Sequence, residues 1–78
     1  MYTEEEIDSF YETLGMVIRK LRIEAGMTEN QLGILCGYSR AGISLIELGQ
    51  TRVSLDMLLC ICYALDVDIL NVLAFLKM

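Results

Sequence analysis

The chain has 78 residues, a formal net charge of −5 and no histidine, and 55% of it is hydrophobic; that length holds one domain and excludes a second core. No run of 18 or more apolar residues occurs, and Glu4, Glu5, Glu6 and Asp8 stand where a secretory signal needs bases, so the pattern excludes a membrane span and predicts a cytoplasmic protein. A small domain has little interior for so much apolar surface, so part of that surface is expected to be an interface.

The predicted elements are all helical. Thr3 followed by Glu6 forms a capping box, and Ile7, Phe10, Leu14, Val17, Ile18 and Leu21 recur at helical spacing, so a first helix runs from about Glu4 to about Ala25 and stops at Gly26. Thr28 with Gln31 is a second capping box, opening a short helix through Leu32 and Leu35 to Cys36, which Gly37 breaks. Ser39 caps a third helix reaching about Leu48, with Gly49 as its stop. The polar loop Gln50-Thr51-Arg52-Val53 leads to Ser54, which caps a fourth helix holding Leu55, Leu58, Leu59, Ile61, Cys62 and Leu65, and Asp68 caps a fifth. No strand-like alternation persists and no internal repeat is visible.

Cys36, Cys60 and Cys62 are odd in number and lack the C-x-x-C spacing, which suggests neither a disulfide framework nor a zinc site; all three are expected as small buried hydrophobes. No metal, cofactor or small-molecule ligand is expected. An enzyme is not expected either, because the chain has no histidine, no glycine-rich phosphate loop after a strand and no nucleophile with an evident base.

The net charge conceals segregation. Residues 1–13, an acidic extension of the first helix, carry five acids and no base; residues 14–53 sum to +2; residues 54–78 sum to −2. A polyanion would be met by the local field of the middle segment rather than by the whole-chain charge. The acidic extension has two readings: the solvated first turns of a helix, which is favoured, or an electrostatic restraint on nonspecific DNA binding.

Glu29 to Leu48 has the length and pattern of a helix-turn-helix unit. Its fifth position must be small to let the backbones approach, and its ninth must accept a left-handed turn. Gly33 and Gly37 stand there, and Leu32, Cys36, Tyr38, Ile43 and Ile46 take the inward positions.

Beyond this unit, the chain from Leu14 to Leu73 resembles the Cro-like family of helix-turn-helix repressors, which includes phage repressors and the controller proteins of restriction–modification systems. The resemblance rests on Leu14-Gly15, Ile18-Arg19-Lys20-Leu21-Arg22, Ala25-Gly26-Met27-Thr28, Ser39 to Gly49, Ser54-Leu55 and Ala64-Leu65-Asp66-Val67. It implies a compact five-helix, lambda-repressor-like domain spanning residues 1–78. Such a protein binds double-stranded DNA as a homodimer on a two-fold related operator, with its third helix, about 40–48, in the major groove.

By the same resemblance, Arg40, Ala41, Ser44 and Leu45 face the bases. Arg22 and Glu47 form a structural ion pair tying the first helix to the third. The family usually begins its second helix with a phosphate-binding glutamine, where this chain has Glu29, and Leu48 replaces a residue that is often polar or basic. The phosphate candidates are then Gln31, Tyr38, Ser39, Thr51 and Arg52, with the amides of the second helix. Gly42, costing about 1 kcal/mol of helix propensity against alanine, suggests a close approach to DNA, a partner or the second helix.

The last segment, 68–78, is apolar on nearly all sides, so it is expected to be a dimerisation helix using Leu70, Val72, Leu73, Phe75 and Leu76. Two functions stay open: a DNA-binding transcriptional regulator, and a protein-interaction module that keeps the fold but meets a partner through Leu45, Leu48 and Gly42.

Overall fold

A computed structural model describes residues 1–76. Five helices follow one another: α1 (Glu4–Glu24), α2 (Glu29–Cys36), α3 (Arg40–Glu47), α4 (Leu55–Leu65) and α5 (Ile69–Ala74), and there is no strand among the described residues. None of the described helices is long and apolar enough to cross a membrane.

Local chemistry sets the boundaries. The Thr3 hydroxyl accepts from the Glu6 amide at 3.1 Å while the Glu6 carboxylate accepts from the Thr3 amide at 2.8 Å. Thr28 and Gln31 repeat this arrangement at 3.0 and 2.8 Å, so each of these two helices satisfies orphan donors with its own side chains. Ser39, Ser54 and Asp68 cap the other three as expected. At the far ends, α1 and α3 close alike: the Met27 amide donates to the Arg22 carbonyl and the Gln50 amide to the Leu45 carbonyl, each across a glycine with φ of +73°. Helix α4 ends on a left-handed residue that is not glycine, Asp66, with φ of +56°.

The core gathers residues from every helix. Leu14 and Ile18 of α1, Leu32 of α2, Ile43 and Ile46 of α3, Ile61 of α4 and Val72 of α5 are fully buried. Helix α3 packs on both α1 and α2, and α4 on α2, α1 and α5. Gly15 permits the closest of these approaches: a Cβ there would collide with the carbonyl oxygen of Ile46 and lie 2.6 Å from that of Glu47. The backbone of α1 therefore lies directly against the C-terminal turn of α3. Gly33 does the same for the turn, its missing Cβ leaving room for the Tyr38 carbonyl at 2.5 Å.

Three expectations need correction. Tyr38 is not an inward residue; it is exposed, because the chain leaving left-handed Gly37 seats its carbonyl on Gly33 while the ring lies over Gly42. Cys62 is buried, but Cys36 is half-buried and Cys60 lies on the open side of α4. Helix α5 does not offer all its apolar sides to a partner: Val72 within it and Leu76 just beyond its end are 2% and 6% exposed and belong to the chain's own core, whereas Leu70 and Phe75 are 71% and 66% exposed. Two buried side chains four residues apart form one stripe, so Val72 and Leu76 are withdrawn from any partner and only Leu70, Leu73 and Phe75 face outward. Lys77 and Met78, the end of the expected dimerisation helix, lie outside the described residues.

Candidate nucleic-acid interface

Helix α3 is held by one side and open on the other. Ile43, Ile46 and Glu47 are buried, while Arg40, Ala41 and Leu45 are exposed and Ser44 is half-buried. Ser39 starts the helix by accepting from the Gly42 amide at 3.0 Å.

The anchor is the pair expected between Arg22 and Glu47. Nε of Arg22 donates to Oε2 of Glu47 at 2.6 Å and Nη2 to Oε1 at 3.0 Å, a bidentate fork. Nη1 donates to the Met27 carbonyl at 2.8 Å, so the same guanidinium also ties down the loop between α1 and α2. The two side chains are 10% and 2% exposed. Hydrogen bonding to Glu47 raises the Arg22 pKa above its ordinary value; burial opposes this, and the charges of Glu47 and Glu29 add to it. The guanidinium is thus permanently cationic, and every face of it that is buried has an acceptor.

Glu29, which stands in place of the expected glutamine, turns toward the protein. Its carboxylate is largely covered and lies 3.9 Å from Nε of Arg40, whose own side chain is 72% exposed. It therefore weakens the positive end of α3 rather than projecting a negative charge in front of it. At that distance the contact is an ion pair without a hydrogen bond, and Arg40 remains able to reach outward.

The phosphate candidates Gln31, Tyr38, Ser39, Thr51 and Arg52 are all exposed. Gln31 uses its side-chain oxygen in the cap of α2, which leaves its amide nitrogen to donate. Arg52 is engaged in a way the sequence did not reveal: Nη2 donates to Asp8 at 2.9 Å and lies 3.6 Å from Glu4, and its Cζ sits 5.6 Å from the centre of the Tyr11 ring. Its pKa is raised, chiefly by the hydrogen bond it donates to Asp8. Burial pushes the Cys36 and Cys62 thiols up, which makes them poor nucleophiles.

The helix-turn-helix domain family model matches residues 13–74. Among solved structures, the clp gene regulator ClgR from Corynebacterium glutamicum is 30% identical, with 86% of each chain covered and a TM-score of 0.82. The restriction–modification controller protein C.AhdI from Aeromonas hydrophila is 30% identical over 82% of this chain and 97% of its own, with a TM-score of 0.78. A mutant form of the restriction–modification controller protein C.Esp1396I matches with 30% identity, 86% and 89% coverage and a TM-score of 0.78. No curated protein sequence matches this chain. With the anchored third helix, the buried Arg22–Glu47 fork and a family match over most of its length, the chain belongs to the Cro-like helix-turn-helix family and has the fold of a DNA-binding regulator.

Proposed function

We propose that this protein is a transcriptional regulator that binds an operator as a homodimer, with α3 in the major groove. The observation that carries the reading is the division of α3 into an anchored face and an open one. Ile43, Ile46 and Glu47 hold the helix rigidly, so Arg40, Ala41, Ser44 and Leu45 are presented in fixed relative positions. Arg40 is suited to a bidentate contact with guanine, and Ala41 or Leu45 to a thymine methyl. Gln31, Tyr38, Ser39, Thr51 and Arg52, with the amides at the start of α2, supply backbone contacts.

Dimerisation through Leu70, Leu73 and Phe75 is supported by their exposure on a domain this small. A groove of about 490 Å³ beside them, lined by Tyr2, Ile7, Phe10 and Leu73, extends the same apolar surface onto α1. Two linked half-sites compensate for the few cationic side chains of each subunit, because the second contact becomes intramolecular. The clp gene regulator and the restriction–modification controllers, similar to this chain in fold, support the regulator reading.

Selection of bound sequences from a random duplex pool is the direct test. A recovered motif with two-fold symmetry is expected, and Arg40→Ala should relax preference at one base pair, a loss of about 1–3 kcal/mol of discrimination. No duplex binding by a folded dimer would overturn the reading. It would favour the second one, a protein-interaction module, for which Leu45 on α3 and Leu48 at its C-cap stand exposed.

A further inference from the structure

Arg52 lies in the loop that follows α3 and is 44 residues from the side chain that holds it. Glu4, Asp8 and Tyr11 succeed one another along one face of α1, at i, i+4 and i+7, and all three meet the same guanidinium. The loop is pressed against this face at its start as well: a Cβ on Gly49 would lie 2.7 Å from Cα of Glu12. Two carboxylates on one guanidinium leave the cluster with a net charge of −1, and Glu12 adds to the negative side. A phosphate approaching Arg52 is therefore repelled by this cluster unless the guanidinium is handed over.

We propose that Asp8 and Glu4 act as an internal competitor for Arg52, so that the protein exchanges a carboxylate for a DNA phosphate at this position instead of adding a new contact. The proposal rests on the DNA-binding reading above and says how the acidic start of α1 enters it. Its consequence lies in the salt dependence. A free arginine that docks on a phosphate releases about 0.9 of a condensed counterion. An arginine taken from a carboxylate leaves that carboxylate to collect a cation from solution, and the two ion movements nearly cancel. Arg52 should then contribute affinity without contributing to the salt slope, and nonspecific binding, which is carried almost wholly by such slopes, is held down.

Binding of the full chain to a random-sequence duplex, measured between 50 and 200 mM salt, tests this. Asp8→Asn with Glu4→Gln should steepen the slope of log K against log salt by about 1, so that its advantage over the wild type grows roughly three- to four-fold from 200 to 50 mM. A matched pair that removes two charges elsewhere on α1, Glu5→Gln with Glu24→Gln, should leave the slope unchanged. The effect of the first pair should vanish when Arg52 is alanine. An unchanged slope, weaker binding, an equal gain from the control pair, or a gain that survives Arg52→Ala would each overturn the competitor while leaving the DNA-binding reading intact. Absence of wild-type binding at every salt concentration would overturn both.

Discussion

Replacing Glu47 by alanine should be the most damaging single change to α3, and its size follows from the geometry. The substitution leaves the Arg22 guanidinium with the Met27 carbonyl as its remaining partner, at a site where its side chain is only 10% exposed. Stranding a buried charge in this way costs roughly 3–5 kcal/mol, and the residual access of water to Arg22 places this case near about 3 kcal/mol. In a domain of this size 1 kcal/mol moves the midpoint by about 4–8 °C, so Tm should fall by roughly 12–24 °C. Thermal and urea melts followed by helical circular dichroism measure it. Glu47→Gln, which keeps an acceptor, should lose about half as much. The double variant Arg22→Met/Glu47→Met should recover most of the loss, because no charge is then buried unpaired. Arg22 has a raised pKa in the fold, so its stabilisation is present below its unfolded pKa and lost only as pH climbs through the folded one. Both lie above the working range, and the Arg22 part of the difference should be flat from about pH 6 to 9. A Tm drop under about 4 °C for Glu47→Ala would refute the account, since that is what an exposed pair is worth.

Gly15→Ala should lower stability by about 1–3 kcal/mol through overpacking against the Ile46 and Glu47 carbonyls; a raised Tm, as helix propensity alone would give, would show that α1 and α3 can separate freely. Gly42→Ala places its Cβ 3.1 Å from the exposed ring of Tyr38, which can turn aside, so Tm should stay within about 4 °C. Weaker DNA binding by that same variant is expected, and an unchanged affinity would put the DNA away from Gly42. Leu70→Ser with Phe75→Ser should give a folded monomer in sedimentation equilibrium, whereas Leu76→Ser should unfold the chain; a dimer that survives the first pair would refute the α5 interface.

Much of the fold could be read from short stretches because the forces that set it are short-ranged. A capping box spans three residues, and Thr3–Glu6 and Thr28–Gln31 both form. Gly26, Gly37 and Gly49 take the left-handed conformation at the helix ends expected of them. The Arg22–Glu47 fork was foreseen only through family resemblance, since nothing local links positions 25 residues apart. Tyr38 was misassigned because an aromatic side chain beside a turn suits the inside by type, and only the seating of its own carbonyl on Gly33 turns the ring out.

The sequence by itself determined where helices begin and end, which faces of α1 and α3 are apolar, and that a helix-turn-helix unit occupies the middle of the chain. Each of these is a matter of period or of a three- to four-residue contact. Only the tertiary structure decided the two features on which the proposed function turns. From Ile69 to Leu76, in α5 and the turn after it, nearly every position is apolar, so no period marks the inner stripe, and packing alone chose Val72 and Leu76 for the core and left Leu70, Leu73 and Phe75 outside. At Arg52, the partner depends on how the loop after α3 folds back along α1. The family resemblance made the arginine a phosphate candidate, but the fold gives it first to Asp8 and Glu4.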